Sequence, residues 1–252
     1  MDTSVEAPAP STAHPPAPLY PAAMTPRIVV LCPLEFERAA IARRLRKSAH
    51  APAILVRRTG PGAEAIEDAL DALADEPPEL VILAGLAGGL SLTPPSPRIG
   101  EVIDPVGGGR WFPTRLPPGN EETVSIVGLR SPVFTPKAKR MLHEATGAAL
   151  ADCESHAFAR VCEELALPWC IVRAVSDGPG DILPEASVDW VDDDGNTLAL
   201  RALCGMLLNP RHIPTIMRIR KRSRPALEAA AGRIMELAGA LDRKGAARVR
   251  AS

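Results

Sequence analysis

The sequence predicts an α/β fold, one domain with a twisted mixed β-sheet flanked by helices, and three observations carry that expectation. Short continuous apolar runs alternate with segments of helical periodicity. Turn residues such as Gly and Pro punctuate the boundaries. The length of 252 residues suits one such domain with a full core. Alternation of this kind implies a mostly parallel sheet, because each helix returns the chain to the same end of its neighbouring strand.

Arg27 to Cys32 is the first buried-strand run, and after a turn at Pro33 a helix continues to about Lys47. Ala53 to Arg58 forms a second strand that ends in Thr59-Gly60-Pro61-Gly62, followed by a helix from Ala63 to Leu73. Leu80 to Ala84 is the third strand, closed by Gly85-Leu86-Ala87-Gly88-Gly89. Glu101 to Pro105 and Val124 to Leu129 are further strands, separated by loops over Pro94 to Gly100 and Gly107 to Asn120. Lys137 to Thr146 is a short helix. From Ser155 to Leu165 the residues Ala157, Phe158, Val161, Cys162 and Leu165 recur at helical spacing, and Pro168 breaks the pattern before the strand Trp169 to Val175. The turn Asp192 to Asn196 leads into a helix from Thr197 to Leu208, and a last helical region covers Pro214 to Leu241. These spans divide the chain into a Pro/Ala-rich disordered tail over 1–26, the α/β domain over 27–208 and a basic helical extension over 209–252.

Net charge is −1, which removes any global electrostatic case for binding nucleic acid. The five cysteines include no CxxC pair and sit mostly in apolar runs, as reduced core residues of a cytoplasmic protein do. No apolar run approaches the ~20 residues that span a bilayer, and the first 26 residues lack the basic and apolar regions of a secretory signal.

Chemistry is concentrated between Ala151 and Asp181. Glu154 opens a helix and Asp177 closes the following strand, so both acids lie at element ends, where α/β proteins build sites. The glycines from Gly85 to Gly89 let backbone N–H groups approach an oxygen-rich ligand, or allow a tight turn for close packing. They match neither GxGxxG nor GxxxxGK[ST], so dinucleotide and Walker-type sites have little support.

Strand-then-Glu37, the Thr59 to Gly62 turn, the Gly85 to Leu90 loop followed by Ile99-Gly100-Glu101-Val102, Asp152-Cys153-Glu154, and Arg173-Ala174-Val175-Ser176-Asp177 resemble, in that order, the purine nucleoside phosphorylase and methylthioadenosine/adenosylhomocysteine nucleosidase superfamily. The resemblance covers about Ile28 to Asp181. Glu154-Ser155-His156, Leu183-Pro184, Asp192 to Gly195 and Leu207 to Ile219 are similar to the hopanoid-associated phosphorylase branch, thought to remove adenine from adenosylhopane. The resemblance implies a nucleoside phosphorylase-type domain, a homo-oligomer, no metal or organic cofactor, and inorganic phosphate as co-substrate.

It also implies roles. Asp177 would protonate the purine near N7, Glu154 would hold the ribose hydroxyls, and Glu37 would face the nucleophile, as a general base where that nucleophile is water. Cys153, Asp152, Ala87, Gly88, Phe134 and Ser176 would contact the nucleoside, with Phe134 stacking on the base. Arg173, with Thr59, Gly60 and Gly85 from the two glycine-bearing loops, would hold phosphate. Arg58, Arg43 and Arg44 are further anion candidates. The chain departs from the pattern at Leu86, where nucleosidases carry a serine, and at Cys153 and Asp152, which replace a methionine and a glutamate.

The function expected is therefore phosphorolytic release of adenine from a 5′-substituted adenosine such as adenosylhopane. A hydrolytic nucleosidase and a catalytically silent nucleoside-binding protein are the alternatives. The basic residues Arg211, Arg218, Arg220, Lys221, Arg222 and Arg224 interleave with Ile213, Ile216, Met217 and Ile219, a combination that suits either an anionic membrane surface at the inner face or a solvated helix face.

Overall fold

A computed structural model describes residues 27–91, 94–184, 192–196 and 213–249. The elements run β1 Ile28–Cys32, α1 Glu35–Leu45, a 3₁₀ turn Ala51–Ala53, β2 Ile54–Arg58, α2 Ala63–Asp71, β3 Leu80–Gly89, β4 Arg98–Ile103, β5 Arg110–Trp111, β6 Thr123–Gly128, α3 Pro136–Thr146, β7 Leu150–Asp152, α4 Ser155–Glu164, β8 Trp169–Asp177 and α5 Ile213–Val249. The eight strands make one mixed sheet in the order β2-β1-β3-β7-β6-β4-β5, with β8 also paired to β3. The expected helix at Thr197 to Leu208 and the tail over 1–26 lie outside the described residues.

β3 is the axis of the molecule. Parallel ladders join it to β1 and, from Val81 to Gly88, to β8, while Gly88 and Gly89 pair antiparallel with β7. The strand therefore continues through the glycine run that the sequence places in a loop, because β8 and β7 keep its ladder partners in place to the end. A register shift at Ala87/Gly88 marks where β3 changes neighbours.

Side-chain alternation sorts the core into two layers. Val29, Leu31, Val81, Leu83 and Ile171 pack with Ile66 and Leu70 of α2 and Phe158 and Cys162 of α4. Val30, Cys32, Ile82, Ala84 and Val172 pack on the other side with Ile41 and Leu45 of α1. Into that second layer α5 inserts Ala226, Leu227, Ala230, Ala231, Ile234, Leu237, Ala238 and Leu241. Each large apolar side chain so buried is worth roughly 1.5–3 kcal/mol, so residues 226–241 are part of the sheet's cover and not an appendage. Pro225, which has no N–H to donate to the carbonyl one turn back, separates this buried half of α5 from the exposed basic half before it.

Candidate active site

A cavity of about 470 Å³ opens at the carboxyl ends of β1, β3 and β8, where parallel strands leave space beyond the sheet. Glu37, in the first turn of α1, lies in its wall and is 2% exposed. Its Oε2 accepts the Leu34 N–H at 3.0 Å and its Oε1 accepts the Leu86 N–H of β3 at 2.7 Å. Burial pushes its pKa up to about 7, against the opposing pull of Arg173 and these two N–H donors.

Arg173, wholly buried on β8, gathers the next two acids. Its Nε donates to Asp152 Oδ2 at 2.7 Å and its Nη2 to Glu154 Oε2 at 2.7 Å. Asp152 also accepts the Ser155 N–H at 3.0 Å, which fixes the start of α4. The other oxygen of Glu154 takes the Gly62 N–H at 3.1 Å. Burial raises the pKa of Glu154, with Arg173 opposing and Asp152 adding to the rise. Burial works against the charge of Arg173, but Asp152, Glu154 and Glu37 together outweigh it and raise its pKa. One guanidinium nitrogen, Nη1, is buried without a hydrogen-bond partner.

The fourth carboxylate, Asp177 at the end of β8, is 2% exposed and forms an ion pair with Lys139 of α3, which is itself 1% exposed. Ser176 Oγ donates to Asp177 Oδ1 at 2.5 Å. Lys139 Nζ donates further to the carbonyls of Gly178 at 2.8 Å and Asp181 at 3.2 Å.

The cavity thus collects Glu37, Asp177, Glu154, Asp152, Cys153, Ala87, Gly88, Ser176 and Arg173 from the residues singled out in the sequence. Burial raises the Cys153 thiol well above its ordinary value, which leaves it a neutral wall residue. Seven of the predicted positions fall elsewhere. Gly85 lies behind the wall, where a Cβ would come within 2.7 Å of both Arg173 Nη1 and Glu37 Oε2. Thr59 and Gly60 do not line the cavity and their N–H groups are already given to the carbonyls of Cys32 and Pro33, at 3.0 and 3.2 Å. Phe134 is half-buried outside the lining, and its carbonyl accepts the Leu183 N–H. Arg43 and Arg44 line a different groove with Lys47, Arg224 and Glu228, while Arg58 is bound to Asn196.

Sequence reasoning missed Lys139 and Arg130, both in the lining. Lys139 shares its helix with exposed Lys137 and Arg140, and no spacing rule separates the buried lysine from those two. Among the described residues, no group of three or more His, Cys, Asp or Glu is arranged to hold a metal ion.

The family model described as the Phosphorylase superfamily matches residues 121–208. Solved structures match over nearly the whole chain. Futalosine hydrolase of Helicobacter pylori superposes with a TM-score of 0.59 at 12% identity, covering 84% of this chain and 96% of its own. The 5′-methylthioadenosine nucleosidase of Arabidopsis thaliana gives 0.59 at 15% identity, covering 85% and 97%. The methylthioadenosine/adenosylhomocysteine nucleosidase of Colwellia psychrerythraea, in complex with adenine, gives 0.58 at 14% identity, covering 86% and 96%. The chain has the nucleosidase fold. At these identities the likeness is one of architecture. No curated protein matches the chain by sequence.

Proposed function

We propose that this chain cleaves the N-glycosidic bond of a 5′-substituted purine nucleoside, releases the base, and uses water as the nucleophile. The observation that carries the reading is the separation of acids along β3 within one cavity. Glu37 is bonded at Leu86, Asp177 lies against Gly88, and Arg173 holds Glu154 and Asp152 in the same wall. From Leu86 to Gly88 is roughly 7 Å of extended chain, enough to place a nucleophile at one end and a purine at the other.

In this arrangement Asp177 and its partners would deliver a proton to the departing base. Glu154 would hold the ribose hydroxyls and face the positive charge that develops on the sugar. Glu37, with a pKa near 7, is matched to accepting a proton from water at neutral pH. Electrostatics favours water over phosphate. Glu37, Asp152, Glu154, Asp177, Asp192 and Asp193 line the cavity against Arg130, Lys139 and Arg173, and the last two cations are already paired.

Phosphorolysis is the second reading, supported by the unpartnered Nη1 of Arg173 and by Leu86 in place of a serine. Incubating the protein with 5′-methylthioadenosine, and with adenosylhopane in detergent, with and without phosphate, separates the two. Adenine and free sugar in phosphate-free buffer are the expected products. A strict phosphate requirement with a sugar 1-phosphate product would replace hydrolysis by phosphorolysis, and no base release from either substrate would sink both.

For a lipid-linked substrate the surface offers one supporting feature. In the first half of α5, Met217 is 56% exposed among the exposed cations Arg220, Lys221 and Arg224, and Arg224 shares a groove with Arg43 and Arg44 of α1 and with Lys47 just after it. Such a face fits an anionic bilayer surface. Among the described residues, no helix is long and apolar enough to cross a membrane. The full chain should float with phosphatidylglycerol-containing vesicles at low salt and remain behind with purely zwitterionic ones; equal recovery in both would remove the membrane from the reading.

A further inference from the structure

Lys139 is the most deeply buried cation of the cavity wall besides Arg173, and its surroundings are unusually complete. An ammonium has three N–H donors, and here they meet Asp177 Oδ2, the Gly178 carbonyl and the Asp181 carbonyl. The Asp181 carboxylate turns away from the ammonium. It accepts the Gly178 N–H at 2.9 Å and pairs with Arg218 and Arg222 of α5, each at 3.1 Å. From β8 the pair is faced by the Ser176 hydroxyl, and from β3 by Gly88, which carries no charge. Among the described residues, neither Asp177 nor Lys139 forms an ion pair with any other group.

Stability does not explain this pair, since buried ion pairs are frequently replaceable by apolar side chains at no loss. Its position does. Lys139 occupies Oδ2 of Asp177, while Oδ1 accepts from the Ser176 hydroxyl and keeps its second lone pair for whatever enters the cavity.

We propose that Lys139 and Asp177 act as a single proton donor to the leaving base, with Lys139 as the residue that positions Asp177 and resupplies its proton. The inference rests on the hydrolytic reading above. When the C1′–N9 bond breaks, its electron pair goes to the purine and N7 takes a proton that the Lys139 ammonium passes on through Asp177, so that Lys139 becomes an amine and Asp177 is again a carboxylate. The water oxygen bonds to C1′ and its proton goes to Glu37. Base and sugar leave neutral, and exchange with solvent returns one proton to Lys139 and removes one from Glu37.

The test compares two substrates whose leaving groups differ in their need for that proton. 5′-Methylthioadenosine has a base that must be protonated, whereas p-nitrophenyl β-D-ribofuranoside has a leaving group that departs as the anion. Lys139→Met and Lys139→Gln are made in the full chain, the second keeping an N–H donor for the carbonyls of Gly178 and Asp181. Both variants should lose about 10²–10³-fold in kcat on methylthioadenosine, with KM within about threefold of wild type, and at least tenfold less than that on the riboside. Equal losses on both substrates in the glutamine variant would reduce Lys139 to a structural residue and overturn the proposal. So would wild-type kcat on methylthioadenosine in that variant. A wild-type protein that cleaves neither substrate would overturn the hydrolytic reading, and this inference with it.

Discussion

A glutamate in the first turn of a helix ordinarily sits in water, where it complements the helix dipole. Glu37 instead faces the cavity, its two oxygens bound by backbone N–H groups of Leu34 and Leu86. Because its carboxylate forms only as pH rises through about 7, base release should climb over about pH 6–8. Glu37→Gln should lower kcat by about 10²–10⁴-fold and flatten that rise, and an unchanged profile would show that another group activates water. The same shift acts on stability with a definite sign. The folded pKa lies above the ordinary 4.5, so the contribution is present in full below that value and is lost as pH rises toward 7. The urea midpoint of the wild type should therefore fall over that window, and Glu37→Gln should remove the slope. Arg173→Met strands Asp152 and Glu154 without their cation and should cost about 3–5 kcal/mol in urea denaturation; a loss below 1 kcal/mol would mean the acids find other partners. At this scale the acids were legible in the sequence, since they fall at the ends of elements that the pattern delimits. Lys139 was not, because only the tertiary fold tells a buried helix lysine from an exposed one.

Strand β3 carries the glycines that the sequence reads as a loop. Glycine is poor in strands when nothing compensates, but here β8 and β7 supply continuous pairing and the missing side chains make room for the site. Gly85 is the clearest case. Gly85→Ala would place a methyl group within 2.7 Å of both Arg173 Nη1 and Glu37 Oε2. The expected outcome is a folded protein with circular dichroism like the wild type, destabilised by about 1–3 kcal/mol and at least tenfold slower. Wild-type turnover would mean that the two side chains separate freely. Periodicity found β1, β3 and β8, because buried parallel strands are continuous apolar runs. It missed β5 and β7, which are two and three residues long, too short to show a period.

Across the whole molecule, the division between domain and extension drawn from composition does not match the packing. Charge dominates 209–224 and hides the apolar periodicity that follows Pro225. Those later residues cover β8 and β3 on the α1 side. Ending the chain at residue 212 should therefore give insoluble or molten protein, whereas substituting Arg220, Lys221 and Arg224 by Ser should leave the melting temperature within about 3 °C, since surface changes are usually worth under 0.5 kcal/mol. A soluble, cooperatively melting fragment would show that α5 is dispensable.

The placement of α5 also has a consequence for synthesis on the ribosome. Glu37 emerges early, Asp177 much later, and the helix that covers the strand bearing Asp177 last of all. Translation therefore acts as a timer on this site, and nascent chains stalled before residue 241 should release no base. Prematurely terminated copies would then consume none of the cell's nucleosides, a safeguard that follows from the order in which the elements are made.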